Sequence, residues 1–240
     1  MIQKTDILAI GVHPDDVELS CAGTILTHID RGHSIAICDL TEGELGSRGS
    51  ASTRLEEAER ARQIFGIDHR VNLGLADGFI QKDKPSLIKL IEVIRRFQPT
   101  VVLANAIRDR HPDHGKAADF IHEACFLSGL IKIQTSMNGQ PQQHWRPRSV
   151  YHYIQDYYIE PSFIVDISSM MEKKLETIQA YASQFYNPKS NDAETPISSK
   201  AFLDGIIARA SQFGRLINVD YAEGFTSARP IGVDNILSLK

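Results

Sequence analysis

The 240-residue chain predicts an α/β fold, a mostly parallel β-sheet flanked by helices, completed by C-terminal strands and two helices. Two observations carry that expectation. Short apolar runs alternate with helix-period stretches through the first half, the pattern of βαβ units. Two of those runs end in near-copies of one tetrapeptide, His13-Pro14-Asp15-Asp16 and His111-Pro112-Asp113-His114. In a parallel sheet the carboxyl ends of the strands share one edge, where ligands bind, so side chains distant in sequence can meet there.

The elements follow in order. Residues 7–12 read as a buried strand and 15–31 as the helix after it; 34–40 is the next strand. A helix over 53–65 has a capping box in Thr53 and Glu56 and a stop signal in Gly66. Strand 71–75, helix 86–97 and strand 100–107 continue the alternation. Pro14 and Pro112 fall where proline opens a helix. Residues 133–148 turn polar and irregular and read as a surface excursion. Strands over 150–154 and 163–167 follow, then a helix opening at Ser168 or Ser169 and reaching about Phe185. Pro188 and Pro196 mark 187–199 as a loop before a last helix over 200–216. With no repeat beyond the tetrapeptide, residues 1–240 read as one domain.

Composition narrows the class. At 42% hydrophobic residues the chain can bury a substantial core. A formal charge of -4 argues against a dedicated nucleic-acid surface, which needs a concentrated basic face. Cys21, Cys38 and Cys125 lack CxxC spacing, and Cys38 lies in an apolar run, so a disulfide framework is not expected. The start of the chain lacks a signal-peptide pattern, and no apolar stretch approaches the roughly 20 residues that span a bilayer. The expectation is a cytoplasmic protein with no membrane or nucleic-acid partner.

The motifs carry chemistry. His13 and Asp16, three residues apart at a strand–helix junction, can turn toward one cation. Adding His114 makes two imidazoles and one carboxylate, a catalytic zinc set that leaves a coordination position for water. Asp15 then sits beside the ion as a general base. Taken alone, Asp15 reads equally well as a helix cap; the second His-Pro-Asp at an equivalent strand end tips the balance toward a site. His111 faces the same cavity one turn before His114 and, if protonated, would stabilise an oxyanion. Asp113 is placed to orient one of these imidazoles, or equally to be a solvated helix-start carboxylate. Arg54 opposes the macrodipole in the first turn of its helix, an arrangement that suits binding of a substrate anion; pairing with Glu57 or Glu42 is the plainer reading. Arg108 and Arg110 flank the second motif as substrate contacts or surface ion pairs. The remaining histidines have no partner at ligand spacing.

These residues resemble the PIG-L/LmbE-like family of zinc-dependent N-acetylglucosamine deacetylases, whose hallmark is His-Pro-Asp-Asp after the first strand and a later His-x-x-His. Within that family the chain is most similar to the bacillithiol-biosynthesis enzymes that deacetylate N-acetyl-α-D-glucosaminyl L-malate. The similar stretches are 13–18, 39–49, 72–78, 125–130 and 183–186. The resemblance implies a Rossmann-like fold, a Zn2+ cofactor held by His13, Asp16 and His114, Asp15 as general base and His111 as oxyanion stabiliser. It also implies substrate contact by Arg54, a small aminosugar substrate and a homo-oligomer, commonly a hexamer. Glu42 departs from the arginine expected there in many relatives. Two other activities stay open, an amidase acting on bacillithiol S-conjugates and a deacetylase of another N-acetylglucosaminide. A different class, a non-catalytic sugar- or nucleotide-binding module, lacks the G-x-G-x-x-G that should follow the first strand.

Overall fold

The computed structural model describes residues 2–188 and 190–239. Met1 and Lys240, at the ends of the expected domain, and Lys189, in the expected 187–199 loop, lie outside the described residues. The first half alternates as expected: β1 (Ile7–Gly11), α1 (Asp16–Asp30), β2 (Ile35–Thr41), α2 (Ala51–Phe65), β3 (His69–Leu75), α3 (Lys84–Phe97), β4 (Val101–Ala104) and α4 (Pro112–Ser128). The second half holds a small hairpin of β5 (Ser136–Met137) and β6 (Gln140–Pro141), then β7 (Ser149–Tyr153), β8 (Phe163–Asp166), α5 (Met171–Gln179), α6 (Lys200–Leu216) and β9 (Ala222–Ser227).

Among the described residues seven strands make one sheet in the order β3-β2-β1-β4-β7-β9-β8. The pairs from β3 through β7 are parallel, and β9 runs antiparallel between β7 and β8. The strand order reverses between β1 and β4, and the two tetrapeptides leave those neighbouring strands at their carboxyl ends. Ligands of open α/β sheets bind at such a switch point. Both faces of β1 are buried. Leu8 and Ile10 pack with Leu90, Ile94, Phe120 and Ile121 of α3 and α4, while Ile7 and Ala9 pack with Val17, Cys21 and Ile25 of α1. That two-residue alternation, apolar on both sides, is why the strand reads as an unbroken hydrophobic run. All three cysteines are buried and free, and no described helix is long and apolar enough to cross a membrane.

Several boundaries differ from the sequence reading for local reasons. Ser50, not Thr53, caps α2, its hydroxyl accepting from the Thr53 amide at 3.1 Å. Gly66 ends α2 in the left-handed conformation, as expected. Pro14 lies before the helix cap Asp15 rather than at the first helical position, whereas Pro112 does open α4. The helix expected to reach Phe185 stops at Gln179. Beyond it, the Ser183 amide and hydroxyl bond Glu57 of α2 at 2.8 and 2.6 Å, and these anchors draw the chain off the helical path. The 133–148 excursion contains the β5–β6 hairpin, turned by Asn138 and Gly139 at φ 52° and 75°.

Strand β9 escaped the sequence reading because Ala-Glu-Gly-Phe-Thr-Ser carries no apolar alternation. Its Glu223 is buried and accepts from Lys174 Nζ at 2.6 Å and from the Gly23 and Thr24 amides of α1 at 3.0 and 2.7 Å. Lys174→Met should therefore destabilise the fold by about 3–5 kcal/mol, since it strands a buried carboxylate. Urea unfolding measures the loss; a change below about 1 kcal/mol, the range of an exposed pair, would contradict this role.

Candidate active site

The first motif is held under backbone strain. Asp15 precedes α1 at φ 131°, with no side-chain capping bond. A non-glycine residue in such a region costs about 1–3 kcal/mol and persists where surrounding packing enforces it, commonly at functional sites. Asp15 is buried, and so is its neighbour Asp16. Asp16 is fixed from several sides: its Oδ2 accepts from the Val12 and His13 amides at 2.8 and 3.1 Å and from Asn105 Nδ2 at 2.9 Å. Its Oδ1 accepts from Gln155 Nε2 at 3.1 Å and lies 3.2 Å from His114 Nε2. Asn105 reaches it because β4 ends at Ala104, three residues short of the expected strand end, and the chain then turns toward the site.

The imidazoles converge on this carboxylate. His13 Nε2 is 2.9 Å from Asp77 Oδ1, and its Nδ1 is 3.8 Å from Asp16 Oδ2. His114 Nδ1 is 2.6 Å from Asp109 Oδ2, which directs its Nε2 at Asp16. The His13 and His114 ring centroids are 5.7 Å apart, with His111 at 4.8 and 5.1 Å from them. His111 caps α4: its Nδ1 accepts from the Asp113 amide at 3.3 Å. That bond selects the neutral tautomer carrying its proton on Nε2. Burial, followed by the positive charge of His13 and His114, also lowers the His111 pKa. The imidazolium considered from sequence is thus replaced by a neutral N–H donor.

Electrostatics follow from burial among carboxylates. Burial pushes the Asp15 carboxyl up to about 7 against the pull of Arg54. For Asp16 burial works in the same direction, but His114 and the converging hydrogen bonds outweigh it and hold the carboxyl well below its ordinary range. Burial opposes charge on His114, yet Asp16 and Asp109 hold its pKa up to about 10. His13 is likewise raised, with Asp77 and Asp16 overcoming burial. Both imidazoles therefore face carboxylates that favour their charged forms.

The same set suits a cation. Ligands about 2.0–2.1 Å from a tetrahedral zinc stand roughly 3.3 Å from one another, close to the 3.2 Å between His114 Nε2 and Asp16 Oδ1. Asp109 and Asp77 hold the far nitrogens of His114 and His13, the carboxylate backing that metal-ligating imidazoles commonly have. One ring nitrogen from each of His13, His111 and His114 lies within 4.8 Å of the other two.

A cavity of about 320 Å³ opens over these groups and runs toward α6 and the loop before it. Its wall includes Asp15, Arg54 and His111. Arg54 is buried, with Nη2 3.3 Å from Asp15 Oδ2 and 2.7 Å from Gln184 Oε1. Gly43, at φ 67°, leaves room for that guanidinium: a Cβ there would stand 2.0 Å from Arg54 Nη1. Arg54 therefore holds Asp15, and any substrate contact shares a guanidinium already engaged. Arg108 is exposed and lies outside the cavity lining, whereas Arg110 belongs to it. Asp113 is fully buried rather than solvated; its Oδ1 pairs with Lys116 Nζ at 3.0 Å and its side chain makes no hydrogen bond to an imidazole. The orienting role expected of Asp113 is filled by Asp77 and Asp109. Both were within reach of sequence reasoning: Asp77 follows the carboxyl end of β3, and Asp109 lies two residues before the second motif.

Comparisons agree with this architecture. The family model described as PIG-L, GlcNAc-PI de-N-acetylase, matches residues 8–125, which include both tetrapeptides. Diacetylchitobiose deacetylase of Thermococcus kodakarensis is 30% identical over 75% of this chain and 70% of its own length. A probable N-acetyl-alpha-D-glucosaminyl L-malate deacetylase 2 of Bacillus anthracis is 26% identical over 77% of this chain and 84% of its own. 4-Oxalmesaconate hydratase of Pseudomonas putida is 25% identical over 95% and 91%. Among solved structures, a conserved protein of Thermus thermophilus superposes with a TM-score of 0.85 at 34% identity, covering 97% of this chain and 98% of that one. With the sheet topology, the paired motifs and the two deacetylase relatives in agreement, the chain belongs to the PIG-L family, whose de-N-acetylases hydrolyse amides.

Proposed function

We propose that this protein removes the N-acetyl group from an N-acetylglucosaminide, using a divalent metal, zinc in the first instance, held by His13, Asp16 and His114. The observation that carries the reading is the 3.2 Å approach of His114 Nε2 to Asp16 Oδ1, two groups from different strand ends, beside the strained Asp15. Bound zinc would polarise the acetyl carbonyl and acidify water to a pKa of about 7.

The chain's own groups supply the rest. Asp15 takes the proton of the attacking water and returns it to the departing amine. Arg54 fixes the Asp15 carboxylate from one side, leaving the other toward the cavity. His111 donates its Nε2–H to the oxygen that gains negative charge as the acetamide carbon becomes tetrahedral. Asp109 and Asp77 keep the His114 and His13 rings in register, so the site needs little reorganisation. The malyl glycoside is the specific substrate suggested by the Bacillus anthracis relative.

Acetate release from N-acetylglucosaminides, with and without chelator, tests this reading. Chelation should abolish release and zinc should restore it; chelator-resistant release, or none from any glycoside with metal loaded, contradicts it. Arg54→Gln separates two roles for that residue. A group that holds Asp15 predicts a fall in kcat of about 10–100-fold with KM within about threefold, since the loss falls on the transition state. A raised KM with unchanged kcat would instead make Arg54 a substrate grip.

A further inference from the structure

We infer that Gln184 is a positioning residue: its side-chain carbonyl seats the Arg54 guanidinium against Asp15 without neutralising it. The inference rests on the reading above, in which Asp15 moves the proton and Arg54 holds that carboxylate. Among the described residues, both hydrogen bonds of the Arg54 side chain leave from Nη2, one to Gln184 Oε1 at 2.7 Å and one to Asp15 Oδ2 at 3.3 Å. Its Nε is buried and makes none. The shorter bond is the one to Gln184, so that carbonyl, more than the aspartate, decides where the guanidinium lies. An amide oxygen accepts from a cation but carries no charge of its own. A carboxylate in its place would compete with Asp15 for the arginine; the amide holds the arginine and leaves its charge to Asp15.

Gln184 is itself fixed in one orientation. It is buried, and its Nε2 donates to the Arg48 carbonyl oxygen at 2.7 Å and to Ser183 Oγ at 2.8 Å. A flipped amide would set N–H groups against the guanidinium and an oxygen against the Arg48 carbonyl, losing both of those bonds. Two features deliver Gln184 to this point. The Ser183 bonds to Glu57 turn the chain after α5 toward α2. Gly49, at φ 69°, lets the loop close in behind, since a Cβ there would stand 2.9 Å from Ser183 Oγ and 3.3 Å from Gln184 Nε2.

Gln184 also lines the cavity, so direct contact with substrate is the rival role. A double-mutant cycle of Gln184→Met and Arg54→Gln on the zinc-loaded protein separates the two. Acetate release is followed from N-acetyl-α-D-glucosaminyl L-malate, 4-nitrophenyl N-acetyl-α-D-glucosaminide and diacetylchitobiose. Gln184→Met should lower kcat at least about fivefold with KM within about threefold, a share of what a hydrogen bond to a charged group is worth. In the Arg54→Gln background the same substitution should change kcat by less than about twofold, because the group it acts through is gone. Ser183→Ala, which loosens the same segment but keeps the carbonyl, should stay within about twofold of wild type. Crystals of Gln184→Met should show Arg54 Nη2 more than about 4 Å from Asp15 Oδ2, past the limit of an ion pair. Unchanged kcat, a raised KM alone, an additive loss in the Arg54→Gln background, an equal loss in Ser183→Ala or an unmoved guanidinium each overturns the role and leaves deacetylation standing. No acetate from any of the three with wild-type protein overturns the deacetylase reading instead, while the crystals still decide whether Gln184 places Arg54. Gln184→Ala serves the same comparisons if the methionine variant does not fold.

Discussion

Asp15→Asn should lower kcat for acetate release by about 10²–10⁴-fold, the contribution expected of a positioned general base. The substitution preserves shape, and asparagine is among the side chains that best tolerate positive φ, so the backbone at φ 131° should survive. What disappears is the carboxylate able to accept a proton. Because that carboxylate is buried, with its pKa pushed up to about 7, its removal relieves an electrostatic cost and should leave the melting temperature equal or higher. Metal content should stay at the wild-type level, since Asp16 and both imidazoles are untouched. Turnover, metal analysis and thermal unfolding on one preparation check all three outcomes. Turnover within about threefold of wild type would remove Asp15 from proton transfer.

His114→Ala should take the metal away altogether. It deletes one of the three expected ligands and leaves both Asp16 and Asp109 without their imidazole partner. Activity should fall to the chelated background, and zinc added in excess should not restore it. Asp109→Asn makes a graded companion. It keeps all three expected ligands but replaces the carboxylate behind His114, which should weaken metal affinity by about 10–100-fold. Excess zinc should then recover activity. Equilibrium dialysis with zinc measures both variants; normal stoichiometry and affinity in His114→Ala would exclude His114 from the ion's ligands.

The sequence disclosed what repeats or alternates. The buried run of β1, the βαβ rhythm through β4 and the matching tetrapeptides placed His13, Asp15, Asp16, His111 and His114 at neighbouring strand ends, and the structure brings those five together. The groups that hold them were hidden for physical reasons. Asn105 and Gln155 reach Asp16 from loops with nothing in their spacing to mark them, whereas for Asp77 and Asp109 position alone, after β3 and beside the second motif, was the signal. Arg54 stood out because it opposes its helix dipole, but its partner was an aspartate of the motif itself, a pairing across 39 residues that periodicity cannot show. Arg108 and Arg110 look equivalent in sequence and both are exposed; only the turn after β4 puts Arg110, and not Arg108, on the cavity wall. β9 stayed hidden because its buried Glu223 answers a lysine 49 residues earlier rather than an apolar neighbour.

The most direct test of the metal assignment is a zinc-edge anomalous map of the zinc-loaded crystal. A single strong peak should lie about 2.0–2.2 Å from His114 Nε2, Asp16 Oδ1 and His13 Nδ1, the distances of zinc to nitrogen and carboxylate oxygen. A peak away from those three atoms, or no peak in crystals of protein that retains zinc, would contradict it.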